Sequence, residues 1–537
     1  MKSTAACRIV LAVMVMGLGL GPPAVAAGPG DGEPEAPEVT AAVQVTPNPR
    51  QTRAHSSPQL AVNPTNGELA IVESEVRHDF RCAVHLSVNG GRSWFPGGDL
   101  MMEPWTECSR KPINGPYATT VFDSDGVLYV AFYASDPQFA DAEDLPLHVF
   151  LARSDDGGRT FETNFVHRSP EPVEEDEGLH NNDRPMVAVD PEDHDNVYVS
   201  WMQRGAEGEK AAKAMVAASE DGGRNFAEAV DVTDERGGYQ ARPAVAPDGT
   251  LHVIYPIGLD ARPENVEPFG VVRTLYHRSS TDHGQTWSER TEVDQGNAGF
   301  YGGRKYLLTS DDDGRLYAVW YANPEPEFDP TKEDVDIFLR TSDDGGQTWG
   351  DRVTVNDEAD QELVNHYDPG IAIAPNGRVD IAWYDFRNSP YPEQFPAEFT
   401  APFNHGGYQD VYYTWSDDGG RTFAPNVRIT DRIINREIGV WSNNIHSHMS
   451  VGVASTDEGA YFAWQDSRNG DDLNQAEDVY FASALHEPGA AGEGDDGMPG
   501  WAVAAIVVTS ILAGVGLALL AVSLSARRRS GEAPAAA

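Results

Sequence analysis

The chain has 537 residues, of which 84 are Asp or Glu and 39 are Lys or Arg, for a formal net charge of −45. A body this acidic excludes nucleic acid and anionic membrane surfaces as electrostatic partners. With 52 Gly, 37 Pro and no long amphipathic helical pattern, it points to an all-β chain whose length suits a repeat architecture in one body.

Residues 1–27 read as a signal peptide. Lys2 and Arg8 precede the apolar run Ile9 to Leu20, and Ala24-Val25-Ala26 offers a cleavage site. Cys7 lies before that run rather than at its end, which argues against a lipid anchor. Residues 28–40, rich in Gly, Pro and Glu, are expected to be a flexible leader to a folded body at 41–486. A linker at 487–500 then leads to 501–526, which is free of charge and long enough to span a bilayer. Arg527, Arg528 and Arg529 follow, which places the tail 527–537 in the cytoplasm and the body outside the cell. In that oxidising setting Cys82 and Cys108 are expected to pair, leaving no thiol as nucleophile or metal ligand. The expected state is a monomer tethered to the membrane by one C-terminal helix.

Within the body a strand–turn–strand pattern occurs seven times. The copies run Pro58 to Val72, Tyr117 to Phe132, Pro185 to Trp201, Pro243 to Tyr255, Tyr306 to Trp320, Pro369 to Trp383 and Met449 to Trp464. Their β-branched and aromatic content suits strands, and the Asp-Gly and Asn-Gly pairs between them suit tight hairpins. A third strand follows each pair and runs into an octapeptide: Ser87 to Trp94, Ser154 to Phe161, Ser219 to Phe226, Ser280 to Trp287, Ser342 to Trp349 and Ser416 to Phe423. The shared form is Ser-x-Asp-x-Gly-x-Thr-aromatic, and a fourth strand comes after it, as in Arg352-Val-Thr-Val-Asn. The second Gly is expected at positive φ, the Asp to accept hydrogen bonds from turn amides, and the aromatic to wedge between sheets.

These octapeptides resemble the Asp box (BNR repeat) of sialidase-like β-propellers. The resemblance covers about 41–486 and implies four-stranded blades around an axis, with the boxes away from the functional face. Seven strand pairs stand against six boxes, so the last repeat lacks its own box and fourth strand. Val43 to Thr46 resembles the fourth strands elsewhere and is expected to complete the seventh blade, closing the ring.

The resemblance also directs attention to first-strand entries and second-strand exits. Arg184, Arg242 and Arg304 enter three successive blades at similar positions, as an arginine triad would if it held a substrate carboxylate. The alternative is that each pairs with local acids at a blade seam. The family's Arg-Ile-Pro segment is replaced at the first blade by His55-Ser-Ser-Pro. A sialidase-like reaction would need a tyrosine nucleophile, for which Tyr367 is the candidate (Tyr239 is the other), a glutamate, Glu235, and an acid, Asp79 (or Glu75). Trp383-Tyr-Asp-Phe-Arg-Asn and Trp464-Gln-Asp-Ser-Arg-Asn recur, so Asp385, Arg387, Asp466 and Arg468 form either a substrate-binding rim or interblade ion pairs.

No cofactor is required by this reading. A structural Ca²⁺ at Asp466, Asn469, Asp471 and Asp472 competes with an ordinary Asx turn, and His55, His180, His366, His446 and His448 gather at strand entries. The expected partner is an extracellular glycan or glycoprotein. The activity is either hydrolysis of acidic glycans or binding without turnover.

Overall fold

The computed structural model describes residues 36–46, 52–75, 81–100, 106–107, 118–135, 146–169, 181–205, 208–233, 240–257, 273–296, 306–322, 335–358, 364–389, 408–436, 438–439 and 451–486. The expected signal peptide, linker, membrane helix and tail lie outside these residues. So do Cys108, the partner expected for Cys82, and the candidates Asp79, Glu235, Tyr239 and Arg304.

Seven antiparallel blades make up the fold. Blade 1 is β3 (His55–Val62), β4 (Leu69–Glu75), β5 (Arg81–Ser87) and β6 (Phe95–Pro96); blade 3 opens with β12 (Asn181–Val189), blade 4 with β16 (Arg242–Val245) and blade 5 with β20 (Tyr306–Ser310). Blade 6 is β24 (His366–Ile373), β25 (Val379–Asp385), β26 (Tyr408–Ser416) and β27 (Val427–Arg428). Each opening strand touches that of the next blade, and the cycle closes from β29 (Gly452–Thr456) of blade 7 back to β3. Seven blades therefore surround one axis.

Ring closure uses both ends of the body. In blade 7, β29, β30 (Gly459–Asp466) and β31 (Asp478–Leu485) are joined by β2 (Val43–Gln44), with Val43 opposite Phe481 and Gln44 opposite Tyr480. A further strand, β1 (Glu38–Val39), pairs with Leu485 and Ala484, and Thr40 N donates to Ser483 O. The expected leader at 28–40 thus gives up its last residues to the blade. An alternation of Val39, Val43 and Val45 among polar residues carried that signal, masked by the Gly- and Pro-rich composition before it.

The boxes behave as turns. Asp418 Oδ1 accepts from Ser416 Oγ (2.8 Å), Arg421 N (2.9 Å) and Thr422 N (2.9 Å), while Thr422 Oγ1 donates to Oδ2 (2.7 Å). Asp156 repeats the set around Ser154, Arg159 and Thr160. Both glycines of the box, not only the second, take positive φ; where the first is absent, His283 adopts φ +56° in its place. The second glycine is also required by close approach: a Cβ on Gly420 would fall 2.5 Å from Leu339 Cδ2 of blade 5. The closing aromatics lie at seams, as Phe226 does against a core shared by Tyr129 and Leu151 of blade 2 and Trp201 of blade 3.

Candidate functional site

First-strand entries and second-strand exits meet at the end of each blade opposite its box. There His55 pairs across the ladder with Glu75, and His366 with Asp385. Three entries share a distortion. Ser57, Arg184 and Asp368 each precede a proline and take φ of 54°, 58° and 57°, and the ladder skips at each. Proline has no N–H to give the ladder, so a bulge at these positions leaves no donor unpaired.

Arg242 also precedes a proline, yet it stays in regular register opposite Ile254. The similar positions expected for the arginines are therefore not equivalent: Arg184 occupies a bulge and Arg242 a regular rung. Both are buried, at 1% and 4% exposure. Arg184 Nε lies 3.9 Å from Asp183, and its carbonyl accepts from Gln240 Nε2. Arg242 abuts Met186 Sδ of blade 3 and stacks over Tyr306 of blade 5, 5.4 Å from the ring centroid. Arg242 thus faces a seam.

The recurring Trp-x-Asp-x-Arg-Asn segments are built alike. Trp383 Nε1 donates to Asp385 Oδ2 (2.9 Å) and Trp464 Nε1 to Asp466 Oδ2 (3.0 Å). Arg387 and Arg468 close on the same oxygens at 2.8 and 2.7 Å and lie over Tyr412 and Tyr480 at 4.0 and 4.1 Å. Asn388 and Asn469 donate to Asp410 and Asp478. Each arginine then reaches out of its blade, Arg387 to Asp357 at 2.8 Å and Arg468 to Asp431 at 2.7 Å. Both acceptors follow the fourth strand of the preceding blade, so Arg387 and Arg468 form ion pairs between blades. Of the calcium candidates, Asp466 and Asn469 are held in this latch. Asp471 Oδ1 caps an Asx turn, accepting from Leu473 N and Asn474 N.

Three further clusters lie at this end. His366 faces Glu358 and Asp385, its Nε2 at 3.0 and 3.4 Å from their oxygens. Burial alone would lower its pKa, but the Asp385 and Glu358 charges outweigh that and raise it to about 10. In blade 1, Glu73 is fully buried between His55 Nδ1 (3.0 Å) and His85 Nε2 (3.2 Å). The third cluster surrounds Arg436. Its buried guanidinium is pulled down to about 10 by desolvation, with Tyr367, Asp368, Tyr384 and Glu477 the groups that favour its charge. Tyr367 packs edge-on against Tyr321 and Phe386, and Gln465 Nε2 donates to Glu477 Oε1 at 2.6 Å. A Cβ on Gly439 would fall 1.9 Å from Glu477 Cδ, so the segment after Arg436 lies directly on this carboxylate.

The blade 1 cluster gives a pH dependence. Burial works to raise the Glu73 pKa, but His55 and then His85 overcome it and hold the carboxyl at about 2, below its ordinary 4.5. A depressed carboxylate contributes stability above pH 4.5 that is lost as pH falls towards 2. The His55 pKa is raised by Glu73 against its own burial, with Asp478 and Glu75 adding to the effect. Its contribution is complete below pH 6.5 and fades as pH rises through the raised value. Urea midpoints across pH are expected to show the acid loss in the native protein and a flatter profile below pH 4.5 in Glu73→Gln. Parallel profiles would show that Glu73 is not its source.

Residues 198–432 match the family model described as the BNR repeat-like domain. That stretch runs from the second strand of blade 3 through blade 6 and holds four of the six boxes. Among solved structures, the chain is similar to a PL25 ulvan lyase (12% identity, TM-score 0.47, 81% of this chain and 95% of that one). It is also similar to the phage phi92 endosialidase (12%, 0.44, 86% and 71%) and to an α-L-arabinanase of Penicillium chrysogenum (12%, 0.42, 65% and 94%). At such scores none of them says what this chain does. No curated protein matches it.

Sequence reasoning missed Arg436, Glu477, Glu358 and Glu73. Arg436 lies between blades 6 and 7 outside any repeat, so no pattern marks it. Glu73 carried a readable signal: it pairs with Ala83 at the rung where Trp383 and Trp464 stand in blades 6 and 7.

Proposed function

We propose that the protein is a sialidase-like propeller, tethered at the cell surface, that hydrolyses extracellular acidic glycans at the entry end of its blades. The observation that carries this is the Arg436 cluster, in which one buried guanidinium has a tyrosine, Tyr367, and two carboxylates, Asp368 and Glu477, as electrostatic neighbours. In a strongly acidic body, a buried cation beside a tyrosine is suited to an anionic sugar. Tyr367 Oη attacks the anomeric carbon, Glu477 receives the phenolic proton, and the guanidinium offsets the charge that develops. Asp79 supplies the acid that protonates the leaving oxygen. Glu477 thereby takes the assisting role for which the sequence suggests Glu235.

Full-length protein is expected to release sugar from a panel of sialylated and uronic-acid glycans, and Tyr367→Phe to lower kcat by at least about a thousandfold with binding retained. A second reading, binding without turnover, is favoured by the burial of Arg184 and Arg242, which a sialidase-like triad would present to substrate. Glycan-array binding with no release across the panel would select it and sink the hydrolase.

A further inference from the structure

Glu358, His366 and Asp385 bring one imidazole nitrogen and two carboxylate oxygens within 4.8 Å of one another at the seam of blades 5 and 6. Glu358 follows the last strand of blade 5, β23 (Val353–Thr354), while His366 opens blade 6 and Asp385 ends its second strand. We propose that these three side chains form a binding site for a divalent transition metal of the Zn²⁺ type, which staples the two blades together.

The orientation of His366 is the first support. Its Nδ1 donates to Val335 O at 2.7 Å, which turns Nε2 and its lone pair towards the carboxylates. Metal-bound histidines characteristically anchor the other ring nitrogen on a backbone carbonyl in this way. His366 is 1% exposed, and its Nε2 finds no hydrogen-bond partner of good geometry among the described residues, while Glu358 Oε1 is ion-paired with Arg387 Nη2.

Spacing is the second. Metal–ligand bonds of about 2.0–2.1 Å put neighbouring ligand atoms about 2.8–3.0 Å apart in an octahedron and about 3.3–3.4 Å apart in a tetrahedron. His366 Nε2 lies 3.0 Å from Glu358 Oε2 and 3.4 Å from Asp385 Oδ2, within that span. Calcium prefers oxygen ligands throughout and bonds of about 2.3–2.6 Å, so the imidazole and the short edge both point away from it.

Charge is the third. Asp336, Asp357, Glu358 and Asp385 gather here, and among the described residues the fixed cations in reach are Arg387 and Arg352. The shortfall is two charges. A divalent ion makes it good. Trp383 and Arg387, which donate to Asp385, serve as the outer donors that orient this ligand. Three protein ligands leave at least one position for water.

The test uses full-length protein stripped with chelator and dialysed against Zn²⁺, Mn²⁺ or Ca²⁺, with metal counted by mass spectrometry. One Zn²⁺ per chain is expected, and zinc-edge absorption should show one imidazole among oxygen ligands. His366→Gln is expected to weaken zinc at least about 100-fold and the isosteric Glu358→Gln about 10-fold or more. His194→Gln, at a half-buried site elsewhere, should retain it. Glu358→Gln keeps the question decidable if His366→Gln does not fold. Less than stoichiometric zinc in the native protein, or equal zinc in Glu358→Gln, overturns the proposal. Metal content is read without reference to any glycan, so it stands apart from the proposed hydrolysis.

Discussion

Asp466→Ala is expected to lower stability by about 3–5 kcal/mol, the loss found when one partner of a buried ion pair is removed. Asp466 is 1% exposed and accepts from Trp464 Nε1, Arg468 N and Arg468 Nη2. Alanine leaves an indole N–H and a guanidinium without their acceptor in a place water reaches poorly. The cost comes from those stranded groups more than from the lost attraction. The double variant Asp466→Ala/Arg468→Met, which removes both charges and keeps a long side chain over Tyr480, should therefore recover most of it. Urea unfolding of the two variants beside the native protein measures this. A loss below about 1 kcal/mol in the single variant would place the pair among exposed salt bridges of little consequence.

Deleting residues 37–46 should have a larger effect and cause the chain to aggregate. The deletion removes β1 and β2, the fully buried Val45, and Thr46, whose Oγ1 accepts from Val479 N at 3.0 Å. The outer edge of β31 is then bare along Tyr480 and Phe481, and an open strand of that kind recruits other chains. Light scattering of the truncated protein should show association, and a synthetic peptide of residues 37–46 should suppress it by adding back the strand. A truncated chain with unchanged light scattering and melting temperature would show that the ring holds without these strands.

The fold was legible because its signals repeat. Gly-Gly turns and the Ser and Asp that serve them recur at blade spacing, so one misread copy is corrected by the others, and counting them located the closing strand. The site was less legible because its residues come from breaks in the repeat. Arg184 and Arg242 look alike as X-Pro entries, yet only one strand bulges, and that choice depends on what each backbone meets across the ladder. Asp385 and Arg387 admitted two roles in the sequence, and the contacts of Arg387 depend on Tyr412, Asp357 and Asn426 far from it or on other blades. Arg436 lies outside the repeat pattern, and only the folded chain shows its neighbours.

Blade 7 joins residues that are far apart in order of synthesis. Thr40 and Ser483, hydrogen-bonded to each other, are 443 positions apart. In an unfolded chain, closing a loop of that length costs roughly 5 kcal/mol by the (3/2)RT ln n rule, before any strand contact repays it. Once six blades have curved round the axis, the two ends already stand close and most of that entropy has been lost. The strand nearest the start of the body is thus expected to dock last, against a strand that closes the body at its other end.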